Sequence, residues 1–145
     1  MVINPEVGYR EGPYEALWYI VPYFEQIGRY LEARGKLLAY LEREEAVKDN
    51  IWKVHEERRP TYVVAVGHGN RNIYTAYRLN HVYWVDMSSP TALARWDHEW
   101  NRNTVFLMLS CVTAAELGPW FVENGAWSYL GWAHLYGFVI NIGTR

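Results

Sequence analysis

Apolar positions along this chain fall into two kinds of run. The first kind is short, continuous and rich in β-branched residues: VIN at 2–4, KLLAYL at 36–41, the stretch at 61–66, TVFLMLS at 104–110 and FVINI at 138–142, with WSYLGW near 127–132 a further example. Runs of that length bounded by turn-forming residues predict strands, and those lacking any apolar–polar alternation predict strands covered on both faces. The second kind is spaced at three and four residues. Leu17, Ile20, Val21, Phe24, Ile27 and Leu31 form one stripe, with Pro22 predicting a kink and Gly35 a stop. Residues 42–60 form a second helix, with acids in the first turn, Val47, Ile51 and Val54 on one face, and Arg58, Arg59 and Pro60 at its end. His55 falls on its charged side and is expected to be solvated. A third helix starts at Ser89-Pro90, and Thr113 with Glu116 predicts a capping box for a fourth that ends at Asn124-Gly125. The polar and aromatic stretch 71–86 has room for a hairpin.

Strands alternating with helices predict an α/β fold: a three-layer sandwich with a mostly parallel sheet of about five to six strands and helices on both faces. At 145 residues, with no internal repeat or low-complexity linker, residues 1–145 read as a single domain.

Composition narrows the functional classes. A formal net charge of −2 without a basic stripe argues against nucleic acid and anionic membrane as partners. No apolar run approaches the roughly 20 residues that cross a bilayer, and MVINPEVGYREGP has no secretory pattern, so a soluble, cytoplasmic protein is expected. The single cysteine, Cys111, excludes an intrachain disulfide and a Cys-rich zinc site. Arginine outnumbers lysine and glutamine is nearly absent, a faint signature of thermostability.

Two strands end in chemically capable residues. YVVAVGHGN at 62–70 places His68 between two glycines, and VFLMLSC at 105–111 ends in Cys111. If the two strands are parallel neighbours, both residues lie on the rim where open α/β sheets hold ligands. A thiol beside an imidazole is an activated nucleophile. A helix start just after Cys111 would lower the thiol's pKa further. Gly69 would let the backbone approach a substrate carbonyl, its N–H and that of Cys111 forming an oxyanion hole.

Other chemistries fail on spacing. Position 117, six after Cys111, is Leu rather than the Arg of a cysteine phosphatase loop, and the chain has no C-x-x-C, no glycine-rich phosphate loop and no G-x-S-x-G elbow. His81, His98 and His134 show no metal-ligand spacing, so neither a metal nor another cofactor is expected. Trp84, Trp127 and Trp132 are candidates to wall a pocket, and Asp86 and Glu123 to line one for a basic side chain.

VVAVGHG at 63–69 followed by VFLMLSC at 105–111 resembles the caspase–gingipain superfamily (clan CD) of cysteine peptidases, which includes legumains, separases, clostripain and the CHAT domains. The His-to-Cys separation is of the order of the ~50 residues seen in caspases. The resemblance runs over nearly the whole chain. It implies a caspase-like sheet, His68 as general base and leaving-group acid, Cys111 as nucleophile, and a thiol protease cleaving peptides after a defined P1 residue through a thioester. The Q-A-C-[RQG]-G signature is missing, and Leu109 stands where members with basic P1 preference carry an aspartate. Substrate-binding residues therefore do not carry over. The chain ends soon after its last apolar run, short of the family's pocket-building elements, which implies a minimal enzyme, a fragment or a subunit that needs a partner. The alternative is a non-catalytic caspase-like scaffold or regulatory domain, homodimeric or bound to a partner subunit.

Overall fold

The computed structural model describes residues 1–5, 20–85 and 102–135. In chain order these form β1 (Val2–Asn4), α1 (Val21–Glu32), β2 (Tyr40–Glu42), α2 (Lys48–Arg58), β3 (Tyr62–Val66), β4 (His68–Asn70), β5 (Ile73–Thr75), β6 (His81–Trp84), β7 (Val105–Leu109), α3 (Leu117–Glu123) and β8 (Ser128–Leu130). Five strands make one sheet in the order β2-β1-β3-β7-β8, parallel at every pairing, and β4, β5 and β6 make a small antiparallel sheet. The predicted helix at Ser89-Pro90 and the strand at 138–142 lie outside the described residues.

The strand order explains the layers. The chain steps from β1 outward to β2, then reverses across β1 to β3, β7 and β8. Right-handed crossovers in opposite directions put their helices on opposite faces. Accordingly Val2, Val64, Val66 and Leu109 pack with Phe24, Ile27 and Leu31 of α1. Their neighbours Ile3, Val63, Ala65, Phe106 and Met108 turn the other way, toward Ile51 of α2 and Leu117 and Phe121 of α3. Apolar packing on both faces is why YVVAV shows no polar alternation, whereas VFLML buries Phe106 and Met108 on one face and leaves Val105, Leu107 and Leu109 partly exposed on the other.

Several boundaries differ from expectation. Pro22 does not kink α1: it stands in the first turn, where its missing N–H removes no helical bond. Gly35 does close the helix region, at φ +61°, with its N–H donating to Glu32 O at 2.9 Å and that of Lys36 to Leu31 O at 2.8 Å. The strand expected at 36–41 is Tyr40–Glu42, because Leu37 is taken up by packing against α1. The second helix begins at Lys48, preceded by a single 3₁₀ turn at Arg43–Glu45, and Val47 is extended rather than on the helical face.

His55 is the largest departure, being fully buried. Its Nε2 lies 2.8 Å from the Tyr83 hydroxyl. Tyr83 meets Phe106 and Phe121 edge-on, at 6.0 and 5.5 Å between ring centroids, and Phe106 stacks on Phe121 at 4.2 Å. This aromatic slab joins the small sheet to the large one, with Tyr74 donating its hydroxyl to Val66 O at 2.8 Å. The periodicity of 42–60 misassigned His55 because its partner, Tyr83, is 28 residues away in sequence.

Burial, aided by the Met1 ammonium, lowers the His55 pKa from 6.5 to about 3. Below pH 6.5 the unfolded chain therefore takes up the proton first, so stability is full above 6.5 and falls toward pH 3 by up to about 1.4 kcal/mol per pH unit. His55→Gln, which can still meet the Tyr83 hydroxyl but does not titrate, should flatten that slope in urea denaturation. Equal slopes for both proteins between pH 6 and 4 would refute the burial of a neutral imidazole.

Candidate active site

β3 and β7 run side by side in the register Tyr62↔Val105 through Val66↔Leu109. One further rung follows, Gly67 N–H donating to Leu109 O at 3.2 Å. His68 and Cys111 thus each stand two residues past the same paired positions, on the carboxyl rim of the sheet.

At Gly67 the chain leaves the large sheet and folds back as β4. A Cβ there would run into Thr75 O and come within 2.7 Å of the Tyr74 ring, so only glycine permits the turn. At Gly69 a Cβ would lie 2.6 Å from Thr113 Cγ2 and 2.8 Å from Cys111 O. The role expected of this glycine is the approach of a substrate carbonyl. The structure gives a different reason: the hairpin rests directly on the loop that carries Cys111.

His68 opens β4 opposite Thr75, whose Oγ1 donates to His68 O at 3.4 Å. Burial holds its imidazole below the ordinary 6.5, so at neutral pH it is an uncharged base. Cys111 is a partly exposed thiol outside any disulfide. After it, Val112 has φ +59°, a left-handed conformation that strains a β-branched residue. That turn is held from outside, with Val112 N–H donating to His134 O and Ala114 N–H to Trp132 O, both at 3.0 Å. Inside it, the buried Ser110 and Thr113 hydroxyls are 2.9 Å apart.

The capping box does not form. Thr113 turns to Ser110, α3 starts only at Leu117, and Glu116 pairs with Arg71 Nε at 2.5 Å. Cys111 therefore sits six positions ahead of a seven-residue helix, outside the reach of its dipole, and not at a helix start as expected. Leu117 N–H also donates to Arg71 O at 2.9 Å, so the hairpin tip is tied to the start of α3. Sequence reasoning missed Arg71. Its only local signal was a two-residue turn between the paired residues Asn70 and Ile73.

Other candidates disperse. Trp127 precedes β8 on the amino-terminal side of the sheet, its N–H donating to Thr104 O, and Glu123 ends α3 on that side too, so neither reaches the rim of His68 and Cys111. Trp84 stacks on Trp52 at 5.8 Å between centroids. Trp132 adjoins the Cys111 loop through its carbonyl. Asp86 and His98 lie outside the described residues, among which no cluster of three His, Cys, Asp or Glu could hold a metal. Cavities of about 1080 and 440 Å³ border α1, and neither touches His68 or Cys111. No family model, curated protein or solved structure matches this chain.

The contact at Gly69 is expected to govern the site's stability more than the ion pair. Gly69→Ala should lower the urea-unfolding free energy by about 1–3 kcal/mol, since the carbonyl and methyl it meets are held in place. Arg71→Met should cost under about 1 kcal/mol, because Arg71 is largely exposed. Comparable losses for the two variants would contradict this ranking.

Proposed function

We propose that the chain is a cysteine peptidase of caspase-like type, acting through His68 and Cys111. The observation that carries this reading is the shared register of β3 and β7, with both residues two positions past the pair Val66↔Leu109. A neutral, half-buried imidazole and a partly exposed thiol on one rim supply a base and a nucleophile.

In this mechanism His68 takes the Cys111 proton, and the sulfur attacks the peptide carbonyl carbon to give a tetrahedral oxyanion. The backbone N–H groups of Gly69 and Cys111 would stabilise that oxygen. The C–N bond then breaks as His68 hands its proton to the leaving amine, leaving a thioester. Water, deprotonated by His68, hydrolyses the thioester and regenerates the thiol.

A non-catalytic domain of the same architecture is the second reading. It is favoured by the distance of α3 from Cys111, which removes the dipole, and by cavities that lie away from the rim.

Iodoacetamide labelling and a positional-scanning peptide library separate the two. A peptidase should alkylate at Cys111 faster folded than in urea at pH 7, and lose hydrolysis completely in Cys111→Ala and by about 10²-fold or more in His68→Ala. The acid limb of kcat/KM should lie below pH 6.5, because burial depresses the His68 pKa. Labelling no faster than the unfolded thiol, together with hydrolysis that survives Cys111→Ala or is never detected, sinks the peptidase reading.

A further inference from the structure

A parallel sheet normally has helices over both faces. Here the two faces of β7 are treated differently. Phe106 and Met108 are buried beneath the α2 and α3 side, whereas Val105, Leu107 and Leu109, on the α1 side, are only partly buried. On β8, Leu130 is 67% exposed. Among the described residues α1 alone covers that face, over β1 and β3.

A cavity of about 1080 Å³ lies between α1 and the amino end of β3. Ile27 and Leu31 from the helix and Val64 from β3 give it an apolar floor. Tyr23, Tyr30 and Tyr62 line it and are 63%, 56% and 57% exposed. Tyrosines supply large contact area at low entropic cost, which is why binding surfaces favour them. Lys36, Arg58 and Arg59 stand at one mouth, and no carboxylate is among the described lining residues. Part of that charge answers the carboxyl end of α2, yet both arginines are exposed and face a groove with no carboxylate among its described lining residues.

We propose that this groove is a docking site for an acidic amphipathic helix of a partner protein. The groove follows a helix of 12 residues, about 18 Å or three turns long, and its volume exceeds the range of roughly 300–1,000 Å³ usual for small-molecule sites. An apolar stripe at helical spacing would seat on Ile27, Leu31 and Val64, and flanking Glu or Asp would meet the three cations. The groove opens at the amino end of β3, one strand length of roughly 16 Å from His68, so the inference is independent of the peptidase reading.

The test is to pan a displayed library of helix-forming peptides about 14 residues long against the full chain and against its Lys36→Glu/Arg58→Glu/Arg59→Glu variant. All three positions are exposed, and a matching urea midpoint would certify that the variant is folded. Enriched peptides should carry apolar residues at i, i+3 or i+4, and i+7 with acidic flanks. They should lose at least roughly tenfold in affinity on the reversed variant, lose binding on Tyr30→Ser, and weaken with salt. The proposal is overturned by enrichment without acidic bias, by equal binding to both proteins, or by no enrichment, which would leave the groove to the chain's own residues. A dimer of the full chain that dissociates on charge reversal would assign the groove to a second copy and overturn it as well.

Discussion

The pairing of β3 with β7 is the constraint on which the rest depends. Five consecutive residues of each strand are in parallel register, and a sixth rung at Gly67 extends the ladder. Side chains repeat every two residues along a strand, so a slip of one position would move Val63, Ala65, Phe106 and Met108 to the wrong face and separate His68 from Cys111 along the rim. Both faces of the strands are in use, which makes the register costly to change. The site geometry is therefore a by-product of core packing.

A second layer of the same logic joins the small sheet to the large one. Tyr74 and Tyr83 are paired across β5 and β6 and buried against Phe106 and Phe121. A polar atom is tolerated in such a slab only with a partner. Tyr83 finds His55 and Tyr74 finds Val66 O. Because β4 continues from Gly67 into that small sheet, the aromatic slab also fixes where His68 leaves the rim.

What could be read from the sequence follows from the range of the forces involved. Strands with apolar side chains on both faces declare themselves as apolar runs, and the runs at 61–66 and 104–110 match β3 and β7 to within a residue at each end. Their adjacency, by contrast, was an inference from βαβ logic. Local signals misled where a distant partner took over: Thr113 and Glu116 have the spacing of a cap, but a buried serine claims one and a hairpin arginine the other. His55 read as solvated because charged neighbours surround it in sequence, while in space it faces Tyr83. Gly67 and Gly69 stand out in the sequence, but the atoms that demand them, Thr75 O and Cys111 O, belong to elements that no local pattern brings together.

Magnitudes decide what holds the two halves of the candidate site together. The Arg71–Glu116 pair is short but open to water, and exposed pairs of this kind contribute about 0–1 kcal/mol after entropy and screening. The contact of Gly69 with Cys111 O and Thr113 is backed by the full burial of Thr113. Val112 adds strain of about 1–3 kcal/mol that the surroundings must overcome, and the bonds from its own amide to His134 O and from Ala114 to Trp132 O do so. A turn held against its own preference by bonds on one side and a close-packed glycine on the other has few alternative positions available. The placement of Cys111 thus depends on the segment 132–134 as directly as on the pairing of β3 with β7.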